Sequence, residues 1–281
     1  MIMKYLLIIL TLAVTNLRAQ TDLKFDKRFV ECEDKWVAFQ MNKDTTYNYG
    51  FIYIDSQAGL TLNYEGSFKI SATGQYLPKK NDTTSIKVRL EPNNVLVSWI
   101  PESKYDELKI KAIPDWLKYY KTDTASVERL YRWGYMYNGW NECARALRFL
   151  EKAQRMNSKF QGLSVELAYS YNCLEQYDKA ILVLQDALKA NPTDAYVNKE
   201  LIYAQIKSGQ LDAASESCKK ATKVCDDKTY NGENCYNLLY EYYKIKDKSN
   251  FYLWLKEAKK WTVNNADMTR NIKLMEDELK K

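Results

Sequence analysis

The chain contains no histidine. That absence removes Ser-His-Asp and Cys-His catalysis, and with them His-ligated zinc and non-haem iron. Paired carboxylates can still do hydrolytic chemistry, so enzymes are not excluded outright, but a non-enzymatic role is the expectation. No C-x-x-C pair occurs among Cys32, Cys143, Cys173, Cys218, Cys225 and Cys235, which removes a thioredoxin-like site and a zinc ribbon. No cofactor or metal is therefore expected. Beyond the first residues no apolar run approaches the roughly 20 residues that a spanning helix needs. Charge of one sign is not concentrated anywhere either. Lysines and acids alternate, as on a solvated surface, and nucleic acid would require a basic stripe.

Apolar residues make up 46% and charged residues 28% of 281, which fits a folded globular chain long enough for two domains. Residues 1–19 read as a secretory signal. Lys4 supplies the positive end, Tyr5 to Val14 the apolar stretch, and Leu17-Arg18-Ala19 a small-residue exit before Gln20. No cysteine follows that stretch, so a lipid-anchored form is not expected. Of the 42 basic residues, the signal would take Lys4 and Arg18, leaving 40 against 36 acids. An exported chain meets an oxidising compartment. Cys225 and Cys235, which bracket a polar loop, are the expected disulfide, and the other four cysteines are expected as buried small hydrophobes.

Residues 25–113 carry strand patterns. Lys35 to Gln40 is a short β-rich run, and Tyr47, Tyr49, Phe51 and Tyr53 alternate to give one aromatic face. Leu60, Leu62 and Tyr64 alternate again, as do Ile86, Val88 and Leu90. The turn Glu91-Pro92-Asn93-Asn94 predicts a hairpin into Val95 to Ile100, and Leu108, Ile110 and Ala112 could form a last strand. Such short strands with polar turns predict an antiparallel β sandwich or barrel. The aromatic strand could stack on sugars, although core packing is the better reading of it. Asp106 with Glu107, and Glu276 with Asp277 and Glu278, read as solvated charges rather than catalytic pairs.

From Asp115 the apolar period changes from two to about 3.6, after Pro114 opens a linking helix over 114–126. At a spacing of 34 residues, Trp133-Gly134, Leu167-Ala168 and Leu201-Ile202 superimpose. So do Tyr137 and Tyr171; Ala146, Ala180 and Ala214; Leu150, Leu184 and Cys218; and Ala153, Ala187 and Ala221. This pattern resembles the tetratricopeptide repeat, in which large and small residues at these places lock two antiparallel helices together. The resemblance implies repeats at 127–160, 161–194 and 195–228. A fourth follows if three residues are inserted, with Leu238, Leu239, Tyr242, Leu255 and Ala258 in place and Phe251 where a small residue belongs. The array then covers 127–263, and 264–281 reads as a capping helix with Met268, Ile272, Met275 and Leu279 on one face. The predicted fold class is α+β with two domains, a β sandwich or barrel followed by an all-α solenoid.

The resemblance also implies a concave groove lined by the first helix of each pair. Its ninth position would place Tyr135, Tyr169, Tyr203 and, in the shifted unit, Tyr240 there. Flanking positions hold Tyr131, Asn138, Asn172, Tyr196, Lys199 and Tyr243. Tyrosines have an apolar body and a hydrogen-bonding tip, which suits a protein partner or an extended peptide. The carboxylate clamp of the chaperone-binding members is missing, because Tyr131, Tyr135, Tyr196 and Glu200 stand in its places. The expected role is an exported interaction scaffold, periplasmic, outer-membrane-associated or secreted. The alternative is a glycan- or small-molecule-binding β domain that the repeats merely dock.

Overall fold

A computed structural model describes residues 22–81, 85–122 and 125–280, in two compact units that divide after Lys121. The signal-like segment 1–19 lies outside the described residues. Among the described residues no helix is long and apolar enough to cross a membrane.

The first unit is one antiparallel sheet of β1 (Lys27–Arg28), β2 (Lys35–Ala38), β3 (Tyr47–Asp55), β4 (Gly59–Ile70), β5 (Tyr76–Lys80), β6 (Ile86–Arg89) and β7 (Leu96–Trp99). Its order is β1-β7-β2-β3-β4-β5, with β6 also paired to β4. The long β4 receives β6 on Thr61 to Tyr64 and β5 on Gly66 to Ile70. The sheet stays open, so the expected sandwich or barrel is corrected to a single sheet. Helical segments cover it where a second sheet would have been. Tyr47, Tyr49, Phe51 and Tyr53 bury their rings with Trp36, Phe68 and Tyr76, under Leu108 and Leu117. Trp116 meets Phe51 and Tyr53 edge-on at 5.7 and 5.0 Å. Each such ring removed from water contributes roughly 1.5–3 kcal/mol.

Three further expectations are corrected here. The 91–94 turn makes no hairpin, because β7 crosses the sheet to lie between β1 and β2, where Val97 and Ser98 are buried. Leu108, Ile110 and Ala112 form no strand: α1 (Tyr105–Leu108) occupies the site and ends at Lys109 in the left-handed region. Glu107 holds α1 to the sheet edge by accepting from the Tyr76 amide at 2.6 Å and from Lys104 at 3.0 Å. The linking segment is a 3-10 helix, Asp115–Tyr120, that packs into the first unit as a lid on the aromatic face.

The second unit alternates first and second helices of a pair. They are α2 (Val127–Gly139), α3 (Cys143–Met156), α4 (Leu163–Cys173), α5 (Tyr177–Ala190), α6 (Ala195–Lys207), α7 (Leu211–Val224), α8 (Asn231–Lys244), α9 (Lys248–Trp261) and a closing α10 (Ala266–Leu279). The turn inside each pair is the same. Asn141, Glu175, Gly209 and Lys246 all take positive φ, at 57°, 58°, 79° and 57°. The following amides of Glu142, Gln176, Gln210 and Asp247 donate back to Tyr137, Tyr171, Gln205 and Tyr242 at 2.8–2.9 Å. This is the left-handed stop that satisfies the last helical carbonyls. Only Gly209 is the residue type usually chosen for it; Asn is the next best, and Glu and Lys carry some strain.

Packing within pairs follows the repeat. Ala146, Ala180 and Ala214 are fully buried, and Phe251 fills the fourth such place with no exposure. At Gly134 an added Cβ would lie 2.3 Å from Leu150, so only glycine lets α2 approach α3 there. Where Gly134 becomes Ala168 and then Ile202, the facing residue passes from Leu150 and Leu184 to the smaller Cys218, and all six are buried.

The cysteines correct another expectation. The bonded pair is Cys143–Cys173, joining the start of α3 to the end of α4, whereas Cys225 and Cys235 are separate buried thiols. The 226–234 loop does not bring them together. Cys225 ends α7 with its sulfur accepting from Asn198 on α6 at 3.5 Å, while Cys235 faces Cys218.

Candidate functional site

The first helices touch in series, α2 with α4, α4 with α6 and α6 with α8, and the second helices have no comparable contact with one another. One surface is thus built from α2, α4, α6 and α8 alone. Helix starts are fixed by side-chain caps at Ser126, Asp194, Asp247 and Asn265, each accepting from an amide of the first turn.

The ten predicted groove residues divide into five kinds. Tyr135 is 59% and Tyr240 43% exposed, and these are the open rings. Tyr169 and Tyr203 are half-buried. Tyr131, Tyr196 and Tyr243 each have an intramolecular partner. Tyr131 packs on Phe160 at 5.1 Å, with its hydroxyl against Gly162, where a Cβ would come within 2.6 Å. Tyr196 meets Tyr230 at 5.6 Å, and Tyr243 donates to Glu278 of α10 at 2.5 Å.

Asn138 and Asn172 are not open groove groups. Both are buried, at 4% and 6%, and bridge neighbouring first helices. Asn138 donates to the Glu166 carbonyl at 3.0 Å and to its carboxylate at 2.8 Å, and receives the Ser170 hydroxyl at 2.8 Å. One repeat later Asn172 donates to Glu200 at 3.0 Å. In the next place stands Ile206, also buried, so the asparagine bridge is not repeated there. Lys199 lies 3.0 Å from Glu200 and 3.6 Å from Glu233, and is half-buried between them.

Electrostatics follow from this spacing. Burial, and then the charge of Glu200, holds the Glu166 carboxyl above its ordinary range despite the Asn138 bond. Burial also raises the Tyr131 and Tyr203 phenols, and pushes Tyr196 to about 12, with Glu200 adding to it. Burial alone would lower Lys199, but Glu200 and Glu233 raise it overall, so it stays charged.

Sequence reasoning missed Tyr236, which stacks on Tyr240 at 6.3 Å with an 8° interplanar angle. Its spacing of four residues on one helix was the available signal. It also missed Glu166 and noted Glu200 only as a departure from the clamp; the two recur at the repeat period as partners of Asn138 and Asn172. The carboxylate pairs outside the groove are structural. Glu107 holds Tyr76 and Lys104, and Glu276 pairs with Lys259 and Lys280 at 2.5 and 2.9 Å. Among the described residues no group of three or more Cys, Asp or Glu is placed to hold a metal ion.

Paired antiparallel helices with one repeated turn and a one-sided inner surface define a helical-repeat solenoid. The repeat is the tetratricopeptide repeat, whose family model matches residues 174–224, from the end of α4 through α7. The chain carries that repeat behind an N-terminal β unit. Similar solved structures include YrrB, described as a tetratricopeptide-repeat protein with an unusual peptide-binding site. It is 21% identical at TM-score 0.47, over 61% of this chain and 80% of that one. MamA from Desulfovibrio magneticus RS-1 is 20% identical at TM-score 0.45, over 59% of this chain and 88% of that one. A thermophilic tetratricopeptide-repeat protein from Thermus thermophilus, TTC0263, is 18% identical at TM-score 0.43, over 57% and 84%. No curated protein sequence matches the chain.

Proposed function

We propose that the chain is an exported, periplasmic, non-enzymatic scaffold that holds an extended peptide or a helix of a protein partner on the surface of α2, α4, α6 and α8. The observation that carries this reading is the open state of Tyr135 and Tyr240, in register on first helices at two ends of that surface. A ring held in place by its helix, with its face wet, binds at low entropic cost. Tyr169 and Tyr203 continue the aromatic surface between them. Export is supported by the apolar start of the sequence and by the Cys143–Cys173 bond, which suits an oxidising compartment.

The test is a fluorescent library of extended peptides screened against the full chain. Hits should weaken at least about tenfold in the Tyr135→Ala, Tyr240→Ala double variant, the loss of more than 1 kcal/mol expected of anchor rings. No hits, or hits indifferent to both changes, would overturn the groove. N-terminal sequencing of the native protein should begin at or near Gln20, and an intact Met1 would overturn export.

A second reading has one observation behind it. A cleft of about 480 Å³ in the first unit is lined by Lys24, Lys35, Trp36, Trp99, Glu102 and Tyr105 among others, and Trp99 is 43% exposed. An open indole beside charged groups suits a glycan or small molecule. The aromatic strand itself is unavailable for this, since Tyr47 to Tyr53 are buried.

A further inference from the structure

The free cysteines are not equivalent. Cys32 lies in the first unit, where its sulfur accepts from the Trp99 indole at 3.3 Å and its own hydrogen points to the Arg28 carbonyl at 3.3 Å. Cys225 faces Asn198. Cys218 on α7 and Cys235 on α8 face each other with sulfurs 3.9 Å apart, both 1% exposed, in the same apolar cluster. We infer that Cys218 and Cys235 are a second disulfide site, closed by an external disulfide oxidant of the glutathione class while the chain folds.

The chemistry balances as an exchange. One thiolate attacks the oxidant's disulfide and expels one thiolate from it, leaving a mixed disulfide. The second cysteine sulfur, losing its proton, attacks the chain's sulfur of that bond and expels the other half of the oxidant. The two thiols are thereby oxidised by two electrons, and the oxidant leaves as two thiols. To bond, the sulfurs must close from 3.9 Å to about 2 Å. The shared hydrogen bond and burial raise the Cys235 thiol, which makes the finished fold a poor substrate and places the reaction before α8 settles on α7.

Placement gives the bond a purpose. Cys143–Cys173 already ties a second helix to the first helix of the next pair, α3 to α4. A Cys218–Cys235 bond would tie α7 to α8 at the equivalent seam two pairs later. That seam follows the three-residue insertion and has a smaller contact than α3 with α4 or α5 with α6. It also anchors the helix that carries Tyr240.

The experiment is to unfold and reduce the full chain, refold it in a glutathione redox buffer, quench it in denaturant with iodoacetamide so that buried thiols also react, and map peptides without reduction. The expected map links Cys218 to Cys235 and Cys143 to Cys173, with Cys32 and Cys225 alkylated. Cys225→Ser should leave both bonds in place, and Cys218→Ser should leave Cys235 alkylated. Should Cys218→Ser fail to refold, the Cys225→Ser map still decides. Alkylation of both Cys218 and Cys235 in material whose Cys143–Cys173 bond is closed would overturn the inference, and so would a Cys225–Cys235 link.

Discussion

The two units solve the burial of aromatic residues in opposite ways. In the sheet, Tyr47, Tyr49, Phe51, Tyr53, Phe68 and Tyr76 converge from β3, β4 and β5 on one cluster, so each ring depends on pairings distant in sequence. In the helical unit, the buried Tyr137 stacks on Phe149 of its own pair, and the buried Tyr171 and Tyr242 reach Glu151 and Leu211 on the second helix of the pair before. There Tyr135 and Tyr240 are left open. A packed sheet core tolerates loss anywhere poorly, whereas a solenoid confines damage to one seam and its neighbours. The solenoid can therefore carry exposed tyrosines at little cost to its stability.

The largest expected effect tests the sheet. Phe51 has no exposure and lies 5.2 Å from Trp36 and 5.7 Å from Trp116. Phe51→Ala should cost about 3–5 kcal/mol in chemical denaturation, with loss of near-ultraviolet circular dichroism from both tryptophans. A cost below about 1 kcal/mol would mean that the cluster is not the sheet's common core.

A middle-sized effect tests confinement in the solenoid. Gly134→Ala drives a methyl into Leu150 and should cost about 1–3 kcal/mol. Pairing it with Leu150→Val, which removes one methylene, should restore much of the loss. Additive losses in the double-variant cycle would show that the two residues do not share one contact.

The same contrast decides what was legible from sequence. The helical unit declares itself because its contacts are local and repeat. The spacing of Trp133, Leu167 and Leu201 marks the first helices, and Ala146, Ala180 and Ala214 mark the second. The fourth pair obeyed the same turn at Lys246 once three residues were allowed for, and Phe251 packed where a small residue was expected. The strands β3, β4 and β6 were visible as alternation, β2 as a short β-rich run and β7 as the run after a turn, but none of these signals says which strand lies beside which. Nothing local in Glu91 to Asn94 reveals that β7 leaves β6 and crosses to β2. The short β1 and β5 carry too little pattern to see, and Pro78 in β5 is tolerated only because that strand is an edge. Within the groove, Tyr135 and Tyr240 were legible from register. The burial of Asn138 and Asn172 was not, since a polar residue one turn away from an open tyrosine gives no sign of the glutamate waiting on the next helix.

A smaller effect probes that asparagine–glutamate seam by pH. The folded state holds the Glu166 proton to a higher pH than the ordinary value of 4.5, through burial first and Glu200 second. Between the unfolded and folded values the native state binds more protons, so stability falls as pH rises through this window. Above it the ionised carboxylate carries the whole penalty. Glu166→Gln keeps an acceptor for Asn138 without the charge. It should raise stability at pH 7 by on the order of 0.5 kcal/mol, the scale of changes outside a core. The gain should vanish toward pH 4, and a gain independent of pH would refer it to packing instead.

The smallest expected effect on stability is the most informative about function, and it lies within one turn of α2. Tyr135 and Tyr137 are the same side chain two residues apart, one 59% and the other 3% exposed. Tyr137 stacks on Phe149 at 5.6 Å with an 11° angle between rings. Removing its ring leaves a cavity, so Tyr137→Ala should cost about 3–5 kcal/mol. Tyr135 meets the neighbouring Tyr131 ring, tilted at 6.4 Å. Its removal opens no cavity, and alanine has the higher helix propensity. Tyr135→Ala should accordingly shift stability by no more than about 0.5 kcal/mol in either direction. Measured side by side by urea denaturation, the two variants separate a ring kept for packing from one kept for contact. Comparable losses in both would put Tyr135 in the core of the folded chain, and its place in a partner-binding surface would fall with that result.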